Sequence, residues 1–232
     1  KQTFEAKKTA DILTKFAKKA HELLNNHPFN KERKEQGLLP ANYLLIRGAG
    51  KVPKMPNFEK EHGLKSVCIA GGGLYKGVAR MLEMDVIEDI EFTGATNTNI
   101  KKKIETAKKA LKTYDFVFLH LKGTDNYGHD GNAIGKKMFI EKVDEALEIF
   151  LPENCGEDVV IMITGDHSTP CSFKDHSADP LPVLIYSKDC VADGVKKFGE
   201  RYAYDGGMGR IKGKYLLNIL LNEMRRMPKY GA

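Results

Sequence analysis

What this sequence lacks narrows it first. Its 4 cysteines, Cys68, Cys155, Cys171 and Cys190, never form a C-x-x-C pair, and so few thiols in 232 residues exclude a disulfide-stapled scaffold. Reduced thiols and a cytoplasmic location are the expectation. No apolar run approaches the roughly 18 to 20 residues that cross a bilayer, and nothing at the start resembles a signal peptide, so no membrane partner is expected. Charge of one sign is not massed anywhere: 37 Lys and Arg are interspersed with 31 Asp and Glu. The net charge of +6 therefore favours small phosphorylated or carboxylated ligands over nucleic acid. Internal repeats and low-complexity tracts are absent, and proline is sparse, at 9 residues.

What is present reads as an ordinary globular chain, 41% hydrophobic and 29% charged, long enough for one large domain or a domain plus part of a second. In "TADILTKFAKKAHELLNNH" the residues Ile12, Leu13, Phe16, Ala17, Ala20, Leu23 and Leu24 recur at helical spacing, and Asn25, Asn26 and Pro28 end the run. "ANYLLIRGAG" reads as a short buried strand closed by glycine. "KVPKMPNFEKEHG", with two prolines and mixed charge, reads as a linker and places a domain boundary between segments 1–55 and 56–232. From Lys65 onward strands alternate with helices: "SVCIA", "DVIED", "FVFLHLKG", "DVVIMITGDHS" and "LPVLIYSK" are separated by helical patterns, and "GKYLLNILLNEMRRM" closes the series. Such alternation implies an α/β fold with a mostly parallel sheet and helices on both faces. In these sheets working groups gather at the carboxyl ends of strands.

Two strands end in paired Asp and His. "FVFLHLKGTDNYGHDG" delivers Asp125 and His129, four apart, which one helical turn would set on one side. "VVIMITGDHS" delivers Asp166 and His167, and His176 follows nine residues later. Singly, each residue is equally well a turn or capping group. Jointly that reading weakens, because three of the chain's 7 histidines lie in these two segments beside matched aspartates. Two carboxylates and three imidazoles without a thiolate suit Mn, Zn or Co, and Mg or Ca less well. The spacing suits two ions rather than one.

In chain order, "GTDNYGHDG", "TGDHSTP" and "DHSADPLPVLIY", followed by "DGGMGRIKG", resemble the archaeal-type cofactor-independent phosphoglycerate mutases of the alkaline phosphatase superfamily. The earlier "NKERKEQGLLPANYLLIRGAGKVP" resembles the same family's inserted domain as it returns to the core. The resemblance implies an alkaline-phosphatase-like sheet in 56–232, with 1–55 as the end of an inserted, lid-like α/β domain. It also implies two divalent ions at a phosphoryl site, with Asp125, His129 and His176 holding one and Asp166 and His167 holding part of the other. The family completes the second ion with an Asp near its amino terminus and with the Ser that becomes phosphorylated. Neither matches here: Ser66, Ser168, Ser172, Ser177 and Ser187 all fall outside any segment resembling the family's nucleophile turn.

With a start at Lys1 inside a charged helix, that departure leads to the expectation of a carboxyl-terminal portion, whose missing amino-terminal part is a candidate partner. The implied reaction interconverts 3-phosphoglycerate and 2-phosphoglycerate, a step of glycolysis and gluconeogenesis. Another phosphatase or phosphomutase of the superfamily, or a non-catalytic metal and phosphate binding fragment, stays open as an alternative. Arg47 and Arg33 are candidates for the substrate carboxylate, since Arg grips oxyanions bidentately, and Lys122 for its phosphate. The glycine-rich "GGGLYKG" and "GGMGRIKG" are read as tight turns, Cys171 as a passive small residue, and His120 as a satisfied core histidine.

Overall fold

The computed structural model describes residues 3–46, 48–151 and 158–227. They fall into two compact units, 1–54 and 55–232.

In the first unit, helix α1 (Phe4–Asn25) starts where the Thr3 hydroxyl accepts from the Ala6 amide, and α2 (Pro28–Glu35) starts on a proline whose fixed φ suits the first helical turn. The apolar stripe of α1 is not sealed: no residue of the helix is fully buried. The expected strand at "ANYLLIRGAG" is not found. Residues 41–46 carry no regular structure, and Tyr43, Leu45 and Ile46 are exposed. The reason is hydrogen bonding, because no strand among the described residues of this unit offers a ladder. The Asn30 side chain holds the first residue of the stretch: it is 1% exposed, accepts from the Ala41 amide at 2.7 Å and donates to the Ala41 carbonyl at 3.1 Å. Residues 43–46 and the Leu13 to Lys18 face of α1 line a shallow groove.

In the second unit, half of the stretch read as a linker folds as α3 (Phe58–His62), capped by Asn57, with Phe58 buried. Strand β1 (Ser66–Ile69) is buried along its whole length and pairs in parallel with β2 (Asp85–Ile87) and β3 (Phe116–Leu119), giving the order β2-β1-β3. Alternation of side chains along β1 divides the core in two. Cys68 faces a cluster with Phe58, Ala79 of α4 (Gly73–Met81) and Leu221 of the last helix, whereas Ile69 faces Phe92 and Ala107 of α5 (Ile100–Ala110). Helices thus cover both faces of a parallel sheet, as the alternating pattern indicates.

After β3 the chain enters the short helix α6 (Gly123–His129), which packs on α7 (Ala133–Leu147). Gly123 is required there, since a Cβ would overlap the Phe139 ring. Strands β4 (Ile161–Ile163) and β5 (Leu184–Tyr186) pair with each other antiparallel, so "LPVLIYSK" runs against its predecessor rather than alongside it. Helices α8 (Glu200–Ala203) and α9 (Leu216–Glu223) complete the unit. No helix among the described residues is long and apolar enough to cross a membrane.

Candidate metal centre

Three side chains meet beyond the carboxyl ends of the strands. Asp125 and His129 both project from α6, four residues apart, and His176 arrives from the loop between β4 and β5. That loop is closed by a Ser168 to Ser177 bridge and a turn over 170–174, with Lys174 at φ 57°. Closure carries His176 back beside His167, with ring centroids 3.7 Å apart.

The ligand-type atoms form a nearly equilateral triangle. Asp125 Oδ1 lies 3.3 Å from His129 Nε2 and 3.5 Å from His176 Nε2, and the two Nε2 atoms are 3.2 Å apart. Tetrahedral ligands about 2.1 Å from an ion stand roughly 3.4 Å from one another, so the spacing fits a shared cation. The donor directions agree. His129 Nδ1 is 3.0 Å from the Lys174 carbonyl, which only accepts, so the ring's proton sits on Nδ1 and its Nε2 lone pair points into the triangle. A carboxylate oxygen and two imidazole nitrogens converging at this spacing could hold a cation.

Asp125 is the anchor. Its side chain is 13% exposed, and burial alone would push its carboxyl up. Hydrogen bonds from Lys122 and Thr169 outweigh burial and hold it at about 2. Lys122 Nζ donates to the Oδ2 atom of Asp125.

Asp166 and His167 flank the triangle without joining it. Asp166 Oδ2 is 3.8 Å from His167 Nε2 and accepts from the Tyr75 hydroxyl at 3.0 Å. Burial and that hydrogen bond push the Tyr75 phenol up to about 12. Burial also works against the charged Asp166, but the Tyr75 and His167 contacts prevail and its carboxyl titrates below the ordinary range.

His120 departs from the satisfied core residue expected: its Nδ1 is buried without a hydrogen-bond partner, and the ring stacks on Tyr75 at 3.5 Å. Burial pushes it down to about 4, so the imidazole stays neutral.

Arg33 belongs to the first unit, where its Nε donates to the Leu39 carbonyl at 2.9 Å and its guanidinium lies 5.7 Å from the Phe29 ring centroid. Arg47 and Cys155 lie outside the described residues. Cys171 directs its thiol to the Tyr127 carbonyl at 3.7 Å, in keeping with a passive role. In "GGGLYKG" only Gly71 and Gly72 form the turn, where a Cβ on Gly71 would overlap the Thr93 backbone, and Gly73 already begins α4. Tyr75 and Thr169 carry no local signal in the sequence. Tyr75 meets Asp166 across 91 positions and Thr169 meets Asp125 across 44, so only folding reveals them.

A family model described as the metalloenzyme superfamily matches residues 3–223. The 2,3-bisphosphoglycerate-independent phosphoglycerate mutase 1 of Archaeoglobus fulgidus is 49% identical over 228 residues, 98% of this chain and 56% of that protein. The corresponding Methanocaldococcus jannaschii protein is 46% identical with the same coverage. Among solved structures, a Pyrococcus horikoshii protein superposes with a TM-score of 0.85 at 43% identity, over 99% of this chain and 60% of that one. A cofactor-independent phosphoglycerate mutase from Thermoplasma acidophilum superposes with a TM-score of 0.62 at 32% identity, over 94% of this chain and 52% of that one. The chain thus spans little more than half the length of the relatives it matches.

Proposed function

Because this chain belongs to the metalloenzyme superfamily, we propose that it supplies the metal-binding part of a cofactor-independent phosphoglycerate mutase, interconverting 3-phosphoglycerate and 2-phosphoglycerate on two divalent cations. The observation that carries this reading is the triangle of Asp125 Oδ1, His129 Nε2 and His176 Nε2, with sides of 3.2 to 3.5 Å. In this reading those three residues hold one cation, and Asp166 with His167 holds part of the second. The oxygen and nitrogen donors favour Mn, Zn or Co over Mg.

Bound cations would screen the charge of a phosphate ester and lower the pKa of an attacking hydroxyl. The chain's own residues prepare the site for this. Lys122 and Thr169 keep Asp125 ionised, so no proton has to leave before a cation is held. Lys122 keeps further N–H donors with which to meet a phosphoryl oxygen. Tyr75 aims the Asp166 carboxylate. Arg33 and Arg47 are assigned to the substrate carboxylate, and the attacking serine to the part of the relatives' length that this chain does not span.

A phosphatase of the same superfamily is the second reading, since water reaching a phosphoryl enzyme would release phosphate instead of returning it to glycerate. Phosphorus NMR separates the two. A chain extended to the relatives' full length should convert 3-phosphoglycerate to 2-phosphoglycerate, lose turnover on chelation and regain it with Mn²⁺, whereas this chain alone should show none. Inorganic phosphate as the only product would replace the mutase by a phosphatase, and turnover by this chain alone would remove the external serine.

A further inference from the structure

We propose that Thr169 is a positioning residue that joins the two halves of the metal centre: its hydroxyl donates to Asp125 and accepts from His167, fixing the His167 tautomer that leaves Nε2 free for a cation. The inference rests on the metal-centre reading of the cluster and adds to it a residue that touches neither ion nor substrate.

The donor inventory fixes the directions. Thr169 Oγ1 lies 2.7 Å from Asp125 Oδ1 and 3.1 Å from His167 Nδ1. An ionised carboxylate only accepts, so the single hydroxyl proton goes to Asp125. The hydroxyl oxygen then has only lone pairs left for His167, and the proton between them belongs to Nδ1. A neutral imidazole carries one N–H, so the His167 Nε2 is a bare lone pair. This is the arrangement by which an outer partner orients a metal-binding histidine. The Lys174 carbonyl does the same for His129 from the other side of the site.

Thr169 is itself held firmly enough to impose this geometry. It is 3% exposed, and its carbonyl accepts from Lys136 Nζ on α7 at 2.9 Å. Gly128 of α6 lies so close that a Cβ there would overlap the Thr169 carbonyl. One hydroxyl therefore connects α6, which carries Asp125 and His129, to the loop that carries His167 and His176. The His167 ring lies against that of His176, centroids 3.7 Å apart and planes tilted by 30°, so its orientation also bears on the triangle.

Thr169→Val removes the hydroxyl at nearly constant volume, Thr169→Ala removes it without adding an apolar methyl beside the carboxylate, and Thr169→Ser keeps it. On metal-free protein with ¹⁵N-labelled histidine, long-range ¹H–¹⁵N spectra should place the His167 proton on Nδ1 in wild type and T169S, and no longer there alone in T169V and T169A. Titration with Mn²⁺, read by the EPR signal of the free ion, should show about 10- to 100-fold weaker binding in T169V and T169A, with T169S near wild type. A purely structural role would lower thermal stability without moving the tautomer. The proposal is overturned if T169V and T169A fold, keep the His167 proton on Nδ1 and bind Mn²⁺ as wild type does. A wild type that binds no Mn²⁺ overturns the metal-centre reading instead, a result visible without any Thr169 variant.

Discussion

Lys103 makes a quantitative prediction possible. It sits on α5 at 0% exposure, its ammonium donating to the carbonyls of Thr93 at 3.1 Å and His120 at 3.4 Å. No carboxylate among the described residues pairs with it, and burial pushes the amine from its ordinary 10.5 down to about 8. Each unit of such a shift corresponds to about 1.4 kcal/mol, so holding the charge in place costs about 3 kcal/mol at pH 7.

The sign follows from proton counting. Between pH 8 and pH 10.5 the unfolded chain still binds a proton that the folded chain has released, so this residue makes stability rise with pH across that window. From pH 7 to pH 9.5 the gain from Lys103 alone is about 2 kcal/mol. Tyr75 and the other alkaline groups titrate as well, but comparison with Lys103→Met cancels them. Urea unfolding followed by circular dichroism, on both proteins at the two pH values, should show the wild type gaining about 2 kcal/mol relative to K103M. A difference between the two proteins that does not change with pH would refute the reasoning and place the Lys103 amine in contact with water or an anion.

Other predictions bear on the site and on its support. Asp125→Asn removes the charge of the triangle while keeping its shape, and His176→Ala removes one corner. Elemental analysis after Mn²⁺ loading should find less bound metal in both, and unchanged stoichiometry in both would remove them from the site. Gly128→Ala forces α6 away from the Thr169 carbonyl and should lower stability by about 1 to 3 kcal/mol, checked by thermal unfolding. Phe139→Ala empties the contact between α7 and the glycine that begins α6, at an expected loss of about 3 to 5 kcal/mol in urea unfolding.

Much of this was legible in one dimension because local patterns carried it. The turn from apolar strand to glycine and polar residues marked β1 and β3, and helical spacing marked α5 and α7. The four-residue step from Asp125 to His129 put both side chains on one side of α6, and the second Asp-His pair stood at the end of a strand. The reading failed where a local pattern had no partner to complete it. "ANYLLIRGAG" has the composition of a strand, but a strand exists only through its neighbour's hydrogen bonds, and here Asn30 meets that need at Ala41 alone. His120 looked like a satisfied core residue, and its burial leaves a nitrogen unpaired.

The sequence by itself determined most of the elements, the α/β class and the kind of donors available, since propensity, periodicity and ligand chemistry are properties of short segments. Tertiary structure alone decided which donors share a centre and which atoms of theirs face it. The Ser168 to Ser177 bridge returns His176 to Asp125, and contacts across 44 and 91 positions bring Thr169 and Tyr75 to hold the carboxylates. Hydrogen bonds act over about 3 Å, a range that only the folded chain can define.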